Sequence, residues 1–180
     1  LQQAFATDSM GKPLHAGHAA EAGMTSAILA GKGMTGADGM FEGARGFGKA
    51  MGRNVDWHAL VDSLETEYTI CRMTQKNHTC CGHTFAAIDA VLMLAKAHEL
   101  SPDDISEITV GTYAKGVEIC GNPDPQTVYQ AKFSIAYVIS AALILGRVRF
   151  AAFKENLLHD SKMRATMAKV RCYVDEEAEA

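Results

Sequence analysis

Gly52-Arg53-Asn54-Val55-Asp56 separates two kinds of sequence, and that separation decides the fold. On its N-terminal side, residues 16–30 are rich in Ala, Gly and Met, with Ala19, Ala20, Gly23, Ala27 and Ile28 at helical spacing. Small residues on one face let a second helix approach closely. Gly31 and Gly33 punctuate the C-terminal end of this predicted helix. Thr35 and Asp38 stand at capping-box spacing, which predicts a second short helix from about Gly36. The run Gly43-Ala44-Arg45-Gly46-Phe47-Gly48 then breaks regular structure.

Beyond Asp56 the pattern mixes periods. A helical turn over residues 57–64 leads into Tyr68-Thr69-Ile70-Cys71-Arg72, whose β-prone side chains predict a strand. Helix returns over residues 82–98, where Phe85, Ile88, Leu92 and Ala95 form one stripe. Ser101-Pro102-Asp103-Asp104 starts a turn with a serine cap and proline at the first helical position. Residues 105–113 alternate as a strand does. After the loop Gly121-Asn122-Pro123-Asp124-Pro125 comes the most apolar helix, residues 127–145, closed by Gly146. Short helices over 154–169 and a last strand over 170–174 complete the order. Helices followed by strand-helix-strand-helix-helix-strand predict an α+β chain. Its residues 1–53 are the tail of an all-helical domain, and residues 54–180 form a smaller α+β domain, incomplete at its C-terminus.

Composition narrows the function. Of 180 residues, 48% are hydrophobic and 21% charged, with a net charge of -4, values ordinary for a soluble globular protein. No Lys/Arg face runs along any predicted element, which argues against nucleic acid. The longest apolar run, Ile135–Leu145, is far shorter than the roughly 20 residues of a membrane span. Five irregularly spaced cysteines (Cys71, Cys80, Cys81, Cys120, Cys172) suit free thiols in a reducing compartment, and so a cytoplasmic protein. The chain starts at Leu1 and stops on the acidic run Asp175-Glu176-Glu177-Ala178-Glu179-Ala180, which reads as a fragment of a longer protein.

Two lysine segments carry the chemistry. They are Lys12-Pro13-Leu14-His15-Ala16-Gly17 and Lys76-Asn77-His78-Thr79-Cys80-Cys81-Gly82-His83. Each is expected to hold its lysine on irregular backbone just before a helix, Pro13 keeping the residue ahead of it out of the helical region. A lysine so placed aims its ammonium at a carboxylate, or moves protons if burial lowers its pKa. His15 and His18 share a helix face. Donors around Lys76, with the following helix dipole, suit a carboxylate or phosphate.

Rival chemistries fit poorly. Zinc sites space their cysteines C-x-x-C, whereas Cys80 and Cys81 are adjacent and no second pair exists, so no metal is expected. Gly43-x-x-Gly46-x-Gly48 lacks dinucleotide spacing, and neither a Walker loop nor a nucleophile elbow appears. The Cys80 and Cys81 thiols are expected to be partly buried and inert. Tyr137 and Ser140 read as core groups with satisfied hydroxyls.

The chain resembles the MmgE/PrpD family. The resemblance is carried by residues 12–23, by Met40-Phe41-Glu42-Gly43-Ala44-Arg45-Gly46-Phe47, and by Lys76 through Cys80-Cys81-Gly82 to Ala87-Ile88-Asp89-Ala90. Ser101-Pro102-Asp103-Asp104-Ile105 and Ala131-Lys132-Phe133-Ser134-Ile135-Ala136-Tyr137 add to it. The family includes 2-methylcitrate dehydratase, cis-aconitate decarboxylase and iminodisuccinate epimerase. The resemblance implies a large helical domain with an α+β lid, an active site between them, a homodimer, and no metal or organic cofactor. Lys12 then matches the helical domain's lysine and Lys76 the lid's, both catalytic. His15, His78, Cys81 and His83 are the substrate-binding candidates. Cys81 stands where the decarboxylase branch has histidine. The implied activity is a dehydratase-type lyase acting on a small di- or tricarboxylate, with an isomerase or epimerase, or a non-catalytic carboxylate-binding homologue, as alternatives. The fragment by itself is expected to be inactive.

Overall fold

Helix begins earlier than the lysine-proline pair predicts. A computed structural model describes residues 10–52 and 55–179 and divides them into two compact units, Gly11–Gln75 and one built on residues 76–179. In the first unit, α1 (Gly11–Gly31) takes in Lys12 and Pro13, which sequence had placed on irregular backbone. Proline is tolerated there because the N–H groups of a first helical turn have no intrahelical acceptor to lose. No residue of α1 is buried within its unit, so the small-residue face lies exposed.

Residues 36–46 do not form the expected second helix. Glycine density makes helix costly by about 1 kcal/mol per residue, and the segment folds into turns instead. Gly43 N–H donates to the Gly39 carbonyl at 2.8 Å, and Gly39 itself has a left-handed φ of 69°. A β-carbon on Gly46 would lie 2.8 Å from the carbonyl oxygens of both Gly39 and Met40, so only glycine fits this close crossing. Helix resumes as α2 (Phe47–Met51) and α3 (Trp57–Asp62), the latter capped by the Asp56 carboxylate accepting from Ala59 N–H at 3.1 Å. Thr69–Arg72 is a 3₁₀ turn rather than a strand. Among the described residues no strand pairs with this segment, and Tyr68 and Ile70 stay exposed.

The second unit holds the core. Its elements are α4 (Phe85–Ala97), β1 (Ile108–Thr112), α5 (Ala114–Cys120), α6 (Val128–Ala131), α7 (Ile135–Leu145), α8 (Glu155–Leu158), α9 (Ser161–Met167) and β2 (Val170–Val174). β1 and β2 pair in parallel with Ile108 opposite Val170 and Thr112 opposite Val174. Alternation puts Ile108, Val110, Val170 and Cys172 on the covered face, with Thr109 and Arg171 outside. α7 is buried along nearly its whole length, flanked by α4 and α9. In α4 the predicted stripe faces this core, Ile88 fully and Phe85 and Leu92 partly, and buried Val91, outside that stripe, joins them. Tyr137 donates its buried hydroxyl to Ala152 O at 2.6 Å, and Ser140 donates to Ala136 O at 2.8 Å, as expected of satisfied core groups. The described chain is thus mostly helical with one small parallel sheet, an α+β-like arrangement. Among the described residues no helix is long and apolar enough to cross a membrane.

The apolar segment 127–145 is two helices, not one. Thr127 and Ser134 each act as an N-cap, accepting from Gln130 N–H and Tyr137 N–H at 3.2 Å, so the chain breaks between them. Ser134 also donates to Asn122 O at 2.7 Å. Ser134→Ala loses both the cap and the bond to Asn122 O, and is expected to cost about 1–2 kcal/mol; urea denaturation of the purified protein measures it. Gly146 closes α7 in the left-handed conformation, φ 69°.

The Ser101 turn has the expected serine cap, completed as a capping box, with the serine hydroxyl 2.6 Å and its N–H 2.9 Å from Asp104 Oδ2. The Ser101 hydroxyl, then its N–H, holds the Asp104 carboxyl below the usual carboxylate range. The folded turn therefore binds fewer protons than the unfolded chain in weak acid. Its stabilisation is present above the unfolded pKa and is lost as pH falls through the folded one. Acid unfolding of Asp104→Asn is expected to lack this component, which comparison of the two pH–stability curves detects.

Candidate functional site

The break before α7 leaves the Lys132 carbonyl outside any helix, and Cys81 N–H donates to it at 2.9 Å. Thr79 N–H donates to Val148 O at 3.2 Å, and Arg149 Nη2 reaches Asn77 Oδ1 at 3.0 Å. These bonds fix residues 76–83 as an ordered loop. Thr84, wholly buried below it, donates its hydroxyl to Cys81 O at 2.8 Å and touches Cys80 Sγ at 3.3 Å. A 3₁₀ turn (Gly82–Thr84) then leads directly into α4.

On this scaffold Lys76 curls back so that Nζ donates to Cys80 O at 3.3 Å. Its ammonium therefore lies over the same loop as Cys81 and His83. The Cys81 thiol pKa is lowered, first by the neighbouring Cys120 thiol, then by the His83 N–H and the nearby His83 and Lys76 charges, against a burial effect that raises it. Cys120, at the end of α5 and wholly buried, is pushed up by Cys81 and by burial. Burial also raises Cys80. His83 Nδ1 is hydrogen-bonded to the Tyr113 hydroxyl, and the two rings meet edge to face at 5.5 Å.

The six residues singled out in sequence fall into two groups. Lys12 and His15 are exposed on α1 in the first unit. Lys76, Cys81 and His83 meet on the loop of the second unit. His78 is on that loop but its ring is buried, packs edge to face on Phe85 at 5.2 Å, and meets Asp89 Oδ1 at 2.8 Å. That pairing ties the loop to α4. Among the described residues no three His, Cys, Asp or Glu side chains converge as a metal site.

Sequence reading missed Cys120 and Tyr113. They lie about 30 to 40 residues from the loop, and only the packing of α5 against the 3₁₀ turn brings them near. A cavity of about 400 Å³ opens beside Tyr113, lined also by Gly82, His83, Ala86, Leu94 and the residues of β1. It is largely apolar, and Lys76 is not part of its lining.

With this geometry in hand, two family models match the sequence. Residues 78–180 match the MmgE/PrpD C-terminal domain, and residues 1–60 match the MmgE/PrpD N-terminal domain. No curated protein matches the chain.

Proposed function

Because the chain belongs to the MmgE/PrpD family, we propose that it is part of a cofactor-independent lyase of the dehydratase type, acting on a small di- or tricarboxylate. The family match carries this reading, together with an ammonium, an imidazole and a partly exposed thiol gathered on one hydrogen-bonded loop. The C–H bond beside a carboxylate is a weak acid, and its conjugate base needs cations placed where charge develops. Lys76 supplies one such cation and Lys12 a second, each neutralising a carboxylate. With Nδ1 held by Tyr113, His83 uses Nε2 to carry the proton. His15 and His78 support binding, His78 by fixing the loop. In this reading the chain is the tail of the helical domain and most of the lid of a cytoplasmic homodimer, with 2-methylcitrate a natural candidate substrate.

Cys81 favours a second reading. It puts a thiol where the decarboxylase branch has an imidazole, and an anionic sulfur there opposes a carboxylate. An epimerase of the same family, or a homologue that binds carboxylates without turnover, accommodates that more easily than a decarboxylase does. One assay separates these outcomes: the intact protein is followed by NMR with 2-methylcitrate, cis-aconitate and iminodisuccinate. Dehydration of the first is expected. Binding without turnover of any of them overturns the lyase.

A further inference from the structure

We propose that the cleft between α4 and β1 binds an extended peptide, which adds to the free edge of β1 as a third strand with its C-terminal carboxylate at the His83 end. The inference is independent of the lyase reading, with which it shares only His83. It starts from where the ladder points. Ile108 N–H donates to Lys169 O at 2.9 Å, and Thr112 O accepts from Asp175 N–H at 3.0 Å. Residues 108, 110 and 112 thus turn their backbone groups toward β2. Along a strand these groups alternate from side to side, so those of Thr109 and Gly111 point the other way. Among the described residues the sheet has two strands, no ladder covers that edge, and both residues are exposed. The strand, Ile108-Thr109-Val110-Gly111-Thr112, contains neither the charges nor the proline that usually blunt an open edge.

The cleft supplies what a third strand needs besides backbone partners. Every residue of β1 lines the cavity of about 400 Å³, and Ala86, Ala90 and Leu94, spaced four apart on α4, form the facing wall. These three are exposed, while Ile135 and Ile139 of buried α7 make the floor. The two alanines leave depth for a partner's alternate side chains, which the walls select as small and apolar. The ends of the cleft differ in charge. At the Tyr113 end, His83 Nδ1 is hydrogen-bonded to the Tyr113 hydroxyl. The loop that carries His83 also holds the Lys76 ammonium, 3.3 Å from Cys80 O. Among the described residues no acidic side chain lines the cavity. Asp175 and Glu179, which follow β2, already accept from the N–H groups of Glu177 and Ala114. A carboxylate is therefore matched at this end, and placing a C-terminus there runs the peptide parallel to β1. A simple alkyl acid matches the walls and the cationic end but leaves the Thr109 and Gly111 amides without acceptors.

The test uses the intact protein and a fluorescein-labelled peptide, Gly-Ser-Thr-Val-Thr-Val, with a free C-terminus. Fluorescence anisotropy is expected to show saturable binding, about tenfold weaker when the same peptide is C-terminally amidated. In the complex, the Thr109 and Gly111 amides are expected to exchange with deuterium about tenfold more slowly than in the free protein. Thr109→Pro removes one edge donor without touching the bonds to β2, and should weaken binding about tenfold. Ala90→Glu sits at an exposed helical position and sets a charge in the apolar wall, so a similar loss is expected even if the proline disturbs the strand. No binding, or binding that leaves both amides exchanging as before, overturns the proposal. So does octanoate that displaces the peptide at equal affinity, which makes a small acid the occupant. Self-association that already protects these amides in the free protein makes a second copy the occupant, and overturns it too.

Discussion

Lys76→Ala in the intact protein is expected to lower turnover of its carboxylate substrate by about 10²–10³-fold, the usual loss when one preorganised charge-stabilising donor is removed. Its unfolding curve should stay where it was. Lys76 is exposed, and its Nζ donates a single long hydrogen bond, 3.3 Å, to Cys80 O on a loop whose backbone is also pinned through Thr79 N–H and Cys81 N–H. Lys76→Arg keeps the charge but replaces a compact ammonium by a wide planar fork, so partial recovery is expected. Initial rates and urea midpoints on the same preparations separate the two effects. Turnover within a few-fold of wild type in Lys76→Ala removes this residue from the chemistry.

The opposite pattern is expected at Ile88. Its side chain has no solvent exposure and packs α4 against α7, so truncation leaves a cavity that neighbours cannot fill. Ile88→Ala is expected to destabilise the protein by about 2–5 kcal/mol. Ile88→Val should lose only about 0.5–1.5 kcal/mol, which makes the pair a graded measure of packing. The midpoint of urea unfolding reports both, and a loss under about 1 kcal/mol for alanine contradicts the burial.

What sequence could reveal followed the range of the interaction responsible. The α4 stripe, the Ser101-Pro102 turn, the two paired strands and the Gly146 stop are written in neighbours a few residues apart, and periodicity or capping chemistry finds them. Tyr68 through Arg72 carries equally good β-formers, yet a strand needs a partner, and none among the described residues pairs with it. The break between Thr127 and Ser134 was hidden because an apolar run masks caps that work only when a distant acceptor such as Asn122 O meets the same hydroxyl. Pro13 misled in the other direction, since its position within a first turn removes the penalty that marks it as a breaker. At the loop, the residue types around Lys76 were visible and their directions were not. The His78 ring turns to Asp89, and the thiol that meets Cys81 arrives from α5.

In the parallel sheet, residue 108 meets residue 170 across most of the second unit. Neither strand can find its partner by local search, because a parallel pair must wait for its crossover to be laid down. The crossover here holds α5 through α9, so the ladder closes a long loop, and refolding is expected to be slowed by that long-range closure. A chain stalled short of it is expected to leave both strands unpaired, and unpaired strands are the usual templates for self-association.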